Sequence, residues 1–304
     1  MSGHTDAKTP FTSRPPGLVD DSLPKRLPFT KMQGLGNDYV YVEEFETPIL
    51  RPAPLAVAIS DRHFGVGGDG LVLMGPSERA DFRMRMFNAD GSEGEMCGNA
   101  TRCIGKYLYE KGFTDKKEFT LETLAGIRVL TLYTSGAAVE RVRVDMGEPK
   151  LRPADIPVQA EGESFIDQEI MVNGRRYRGT AVSMGNPHLV VPMPGMENLD
   201  LAQIGPFFEH HALFPRRVNT EFIQVLDRDR VRMRVWERGS GETLACGTGA
   251  CAVLVACALN KWTDRKAVIE LRGGELEVEW GEDGVVYMTG GAEFVFSGEY
   301  IVGS

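Results

Sequence analysis

Hydrophobic and polar residues alternate with a period of two in many short stretches of this chain. In "DFRMRMF" Phe82, Met84 and Met86 alternate with Arg83 and Arg85, and in "RVRMRVW" Val231, Met233 and Val235 alternate with Arg232 and Arg234. That period predicts strands with one buried face, the arginines lying on a solvated or cross-strand face. "TKMQGLGNDYVYVEEF", "GLVLMGP", "FTLETLAGIRVLTLYT" and "RVRVDMGEP" continue the strand-rich pattern from Phe29 onward. Helical spacing is rarer. Ala100, Ile104, Tyr107 and Leu108 follow Cys97 at helical intervals, and Gly112 closes the run. The segment after Cys246 is apolar all round, as a helix wrapped by sheet would be. Residues 1–28, rich in Pro, Ser, Thr and Asp and without an apolar period, read as a disordered or loosely draped extension.

The pattern also repeats. Aligning Cys97 with Cys246 sets an offset of 246 − 97 = 149, which lays Met84-Arg85 on Met233-Arg234, Phe87 on Trp236 and Glu93 on Glu242. Without a gap the same offset carries "GLGNDYVYV" onto "SMGNPHLVV", so that Gly36-Asn37 lies on Gly185-Asn186. The chain therefore reads as two copies of one domain, and a pocket between them would receive one thiol and one Gly-Asn loop from each side.

Length and composition narrow the function. A chain of 304 residues with 42% hydrophobic content can bury the cores of two such domains. A net charge of −9 without a basic run would repel a nucleic-acid backbone. The longest strongly apolar stretch, Ala250 to Leu259, is too short to cross a bilayer, and no basic-then-apolar leader opens the chain, so a cytoplasmic enzyme is expected. Five cysteines without a C-x-x-C pair argue against a disulfide scaffold and against a thiolate metal site. Cys103, Cys251 and Cys257 read as buried small hydrophobes. His210-His211 lacks partners at ligand spacing. "GVGGDG", residues 65 to 70, fits a dinucleotide-binding pattern but runs into a strand rather than the phosphate-binding helix, so it reads as a coincidence.

Cys97 and Cys246 differ from the other cysteines because each precedes a glycine-containing helix start, "CGNATR" and "CGTGAC". Free N–H groups and the helix dipole there lower a thiol pKa and bind anions. Two such thiols facing one carbon from symmetric halves would allow one to remove a proton while the other delivers a proton to the opposite face. Neither a Schiff-base lysine nor a cofactor fingerprint is evident, so the N–H cradle and desolvation would have to acidify the Cα proton.

The motifs "GLGNDYVYV", "DRHFGVGGDGLVL", "FNADGSEGEMCGNATRC", "GNPHLVV", "RVNTEF" and "ERGSGETLACGTGAC", in this order, resemble the diaminopimelate epimerase family from about Phe29 to the C-terminus. The resemblance implies an α+β fold of two pseudo-symmetric domains, each a β-barrel-like sheet wrapped around a central helix. Their expected extents are 29–147 with the last strand 290–304, and 148–289. It implies interconversion of LL- and meso-diaminopimelate in lysine and peptidoglycan precursor formation, with no cofactor and no metal. Cys97 would be the proton donor and Cys246 the acceptor in one direction. The N–H groups of Gly98, Asn99, Gly247 and Thr248 would hold the reacting carboxylate with Asn37 nearby. Asn88, Asn186, Asn219, Glu237 and Arg238 would recognise the amino and carboxylate groups, chiefly at the distal stereocentre. His188 and Glu237 would tune the cysteines, and Phe296 stands where a homodimer contact is expected. Gly70 departs from the pattern, standing where an amide side chain can occur. Two other readings stay open: a racemase acting on proline or hydroxyproline, and a non-catalytic nucleotide or phosphate module with redox-sensing thiols.

Overall fold

The computed structural model describes residues 24–302. Among the described residues eighteen strands join in one hydrogen-bonded sheet. Four α-helices accompany it: α1 (Pro52–Ser60), α2 (Gly98–Glu110), α3 (Leu201–Glu209) and α4 (Gly247–Leu259). The 149-residue offset carries element onto element. Strand Arg26–Gly34 falls on Arg175–Ser183, α1 on α3, strand Phe82–Asn88 on Arg230–Glu237, and α2 on α4. In one half the sheet curls around α2, and in the other around α4. The halves meet where strand Val286–Gly290 pairs antiparallel with Ala138–Asp145, Tyr287 opposite Asp145. The last strand, Glu293–Ile301, returns to pair with Arg26–Gly34, placing Tyr300 opposite Leu27. Arg26, Leu27 and Pro28, expected in the loose extension, therefore belong to the sheet, because burying Leu27 in an apolar layer with Val42 and Leu55 draws the chain in early. Residues 1–23 of that expected extension lie outside the described residues.

The central helices are alike at both ends. Cys97 and Cys246 occupy the N-cap positions with extended backbone, φ −131° and ψ 117° for the first, φ −127° and ψ 108° for the second. Gly112 (φ +79°) ends α2 in the left-handed region, and its repeat partner Lys261 (φ +61°) does the same after α4 without glycine's freedom. Gly105 lets α2 lie against the sheet, since a Cβ there would stand 3.1–3.2 Å from Val142, Leu130 and Leu132. α4 is buried nearly all round, from Gly247 to Cys257, in agreement with its apolar sequence. The arginines of the alternating strands lie on ion-paired faces: Arg83 with Glu44 at 2.9 Å, Arg85 with Glu93 at 2.8 Å, Arg234 with Glu242 at 2.8 Å.

Candidate active site

A two-lobed cleft opens over the N-termini of α2 and α4. One lobe, of about 720 Å³, is lined by Cys97, Gly98, Asn99, Cys246, Gly247 and Thr248, together with Asn186 and Met146. The other, of about 840 Å³, is lined by Arg62, Asp69, Asp90, Thr243 and Leu244. Asn37, Tyr39, Asn88, Glu237, Arg238 and Ala245 line both, so the lobes are parts of one space. Thus Cys97, Cys246, Asn37, Asn88, Gly98, Asn99, Asn186, Glu237, Arg238, Gly247 and Thr248 share one cleft. Asn219 and His188 stand one layer behind the wall, and Phe296 lies elsewhere, on the last strand.

The Gly-Asn turns place the first polar groups. Gly36 (φ +84°) and Gly185 (φ +99°) sit at corresponding corners of the repeat, in a region that favours glycine. Asn37 Oδ1 then accepts from Cys97 Sγ and from Asn99 Nδ2, both at 3.3 Å. Its orientation is fixed by Asp69, whose carboxylate accepts from Asn37 Nδ2 at 2.7 Å and from the Asp38 N–H at 3.1 Å. The strand Gly70–Gly75 follows Asp69 directly, so "GVGGDG" serves to hold Asn37 rather than to wrap a phosphate. In the second half, His188 is wholly buried and spans from Glu221 Oε1 (2.7 Å) to Asn186 Oδ1 (3.0 Å). It therefore orients Asn186, and it reaches the cysteine through Glu221, whose carboxylate lies beside Gly249 and Cys246.

The loop with Glu237 and Arg238 is pinned from three sides. Asn219 Oδ1 accepts from the Arg238 N–H at 2.9 Å, and Thr243 donates its hydroxyl to Glu237 Oε1. Glu209, at the end of α3, accepts from the Gly239 N–H at 3.0 Å and from the Trp236 indole at 2.8 Å. The sequence gives little warning of Glu209, because α3 is only nine residues long and carries Pro206 in its interior. A stronger signal was its N-cap, Asp200, which accepts from the Ala202 N–H at 3.1 Å.

The thiols depart from expectation. Burial pushes Cys97 above the ordinary thiol value and outweighs the N–H groups of Asn99 and Ala100 that favour its thiolate. Cys246 rises further, first through burial and then through the neighbouring Glu237 and Glu221 carboxylates. The helix-start N–H groups are in place, but they do not overcome desolvation, so the expectation of lowered thiol pKa values is overturned. Burial likewise raises Glu237. A thiolate formed here is a strong base, which suits removal of a weakly acidic proton.

Gly70 has a packing explanation. A Cβ there would stand 2.0 Å from the Phe87 carbonyl oxygen and 2.8 Å from Tyr39 Cε1, so the Tyr39 ring fills the space beside it. Gly70→Gln should therefore fail to add a substrate contact and instead destabilise the fold by about 3 kcal/mol. Thermal unfolding with an unchanged midpoint would contradict this.

Comparison with known proteins decides the family. A family model described as diaminopimelate epimerase matches residues 29–152 and 180–295. The chain belongs to the diaminopimelate epimerase family. It is 58% identical to the diaminopimelate epimerase of Desulfovibrio desulfuricans over 91% of this chain and 99% of that one. It is 56% identical to that of Acetivibrio thermocellus over 89% and 97%. The fold is wider than the family. A phenazine biosynthesis protein of the PhzF family from Bacillus anthracis superposes with a TM-score of 0.63 at 18% identity, covering 91% of this chain and 99% of that one. The expected α+β fold of two repeated domains is thus found both within the chain and in its structural neighbours.

Proposed function

We propose that this chain interconverts LL- and meso-diaminopimelate, and that Cys97 and Cys246 move the proton. The observation that carries the reading is the meeting of two N-cap cysteines, from equivalent positions in a 149-residue repeat, in one cleft with the Glu237-Arg238 loop. The reacting carboxylate sits between the helix starts, where the N–H groups of Gly98, Asn99, Gly247 and Thr248 donate to it. One thiolate takes the Cα proton, and negative charge moves into the carboxylate as it leaves. The N–H donors and helix dipoles stabilise that charge most strongly in the transition state, each donor being worth about 3 kcal/mol in comparable sites. The opposed thiol then protonates the other face, and the reverse reaction exchanges the roles.

The shape of the cleft favours a long substrate over a proline. Its second lobe extends away from the cysteines past Asn88, Glu237 and Arg238, giving a distal ammonium an acceptor and a distal carboxylate a planar guanidinium. Asn219, behind the wall, positions Arg238 for that contact. The test is incubation with LL-diaminopimelate and, separately, L-proline in D₂O, following the Cα–H signal by NMR. Loss of signal is expected from diaminopimelate alone; exchange into proline, or into neither, overturns the reading. The product would serve lysine and peptidoglycan precursor synthesis, placing the enzyme in the cytoplasm. Among the described residues no helix is long and apolar enough to cross a membrane.

A homodimer through the last strand is part of the same proposal. Val295 and Phe296 are about half exposed, Phe64 is 66% exposed, and the Phe296 ring stands edge-on to Phe29 with centroids 5.8 Å apart. Phe64, Phe296 and Phe29 line one shallow apolar depression that a second copy would cover. Sedimentation equilibrium should give a dimer at assay concentration and a shift toward monomer for Phe296→Asp. A fully active wild-type monomer would rule the dimer out.

A further inference from the structure

Arg102 is wholly buried on α2, and nothing in the proposed proton transfer uses it. Its Nε donates to the Gly291 carbonyl at 3.0 Å. Its Nη1 lies 3.5 Å from the Gly98 carbonyl and 3.7 Å from Met288 Sδ. Nη2 has no protein acceptor. The ionisable groups that act on the guanidinium most are Cys103, Cys97, Tyr41 and Cys251, three thiols and a phenol, and among the described residues no salt bridge joins it to a carboxylate. A buried cation with no counter-ion is expensive to keep, whereas an apolar side chain of the same volume would cost nothing in charge.

The place of Arg102 shows which of the two catalytic thiols its charge favours. It reaches back along α2 to Gly98, the residue after Cys97, and its charge acts on the Cys97 sulfur. The repeat supplies the contrast. Position 102 + 149 = 251 holds Cys251, so the half that carries Cys246 has no equivalent cation. Cys246 instead faces the carboxylates of Glu237 and Glu221, with the Thr248 hydroxyl at 3.6 Å. The ionisable groups turned toward Cys97 are Arg102 from its own helix, Glu237 from the facing loop, Tyr39 and Tyr41 from strand Asn37–Glu43, and Cys103 one turn on. The two thiols are alike in backbone and unlike in field.

We infer that Arg102 is a positioning residue for charge: its guanidinium favours the Cys97 thiolate over the Cys246 thiolate, so that of the two thiols Cys97 is the first to give up its proton. This rests on the two-thiol reading above, but its test needs no turnover. Iodoacetamide, whose iodide a thiolate displaces, is applied across a pH series, and each cysteine is followed by mass mapping. In the wild-type protein the Cys97 reaction should reach half its limiting rate at a lower pH than the Cys246 reaction. In Arg102→Met, alkylation of Cys97 at neutral pH should slow about tenfold, the equivalent of one unit of pKa, with Cys246 unchanged. Arg102→Lys should keep the Cys97 profile within about threefold, because charge rather than shape is at issue. A wild-type Cys97 midpoint at or above that of Cys246 overturns the inference even if the Met variant does not fold. So does a folded Arg102→Met protein with an unmoved Cys97 profile, as a packing role alone would give. A protein showing the asymmetry without epimerising diaminopimelate would defeat the proposed reaction and leave Arg102's role standing.

Discussion

Cys97→Ser and Cys246→Ser should each lose epimerisation by about 10³-fold in both directions, the usual range for removing a positioned acid or base. Each direction needs a base on one face and an acid on the other, so neither single variant retains a complete pair. A serine hydroxyl fits the space of the thiol, and the helix-start N–H groups stay where they are, so substrate binding should survive. Coupled-assay rates from both stereoisomers, with Kd for each by calorimetry, check this. A variant that keeps rapid turnover in one direction would show that its cysteine is not part of the pair. The expected loss is large because burial has made both thiols poor acids in the open cleft. A weaker acid such as a hydroxyl cannot take over.

Arg238→Lys should raise KM about 100-fold while leaving kcat within a few-fold. The residue lines both lobes, and one guanidinium nitrogen already donates to the Arg216 carbonyl at 3.1 Å, which aims the planar fork. A lysine keeps the charge but cannot pair with a carboxylate through two parallel hydrogen bonds, and losing that pairing costs about 2.5–3 kcal/mol. The effect should fall on binding because the contact is made away from the reacting carbon. Steady-state kinetics separates the two constants. A loss confined to kcat would place Arg238 at the chemistry instead.

The central helices and the repeat were legible because both leave direct marks: apolar residues at helical spacing after Cys97, an apolar run after Cys246, and the same Cys-Gly dipeptide at a fixed offset. α1 and α3 were not. Each is nine residues long and begins at or contains proline, so α1 shows almost no apolar period and the short period of α3, from Leu201 through Ile204 to Phe208, is crossed by Pro206. Most residues of the candidate site could be carried over from motifs, Asn219 and His188 behind the wall included, whereas the carboxylates that hold them in place could not. Asp69 holds Asn37, Glu221 backs His188, and Glu209 ties down the Glu237-Arg238 loop, and each contact joins elements distant in sequence. The thiol pKa values show the limit most clearly. A helix start is visible in the sequence, but the degree of burial that opposes it is set by Met146, Met288 and the facing half, which only the fold brings together.

The central claim, two thiols opposed across one carbon, is tested most directly by diaminopimelate analogues with a β leaving group, one for each configuration at the reacting centre. Elimination needs only proton removal, so each single variant keeps the half-reaction of its surviving cysteine. Cys97→Ser should eliminate from one configuration and Cys246→Ser from the other, with the wild-type protein acting on both. The same preference in both variants would contradict the account.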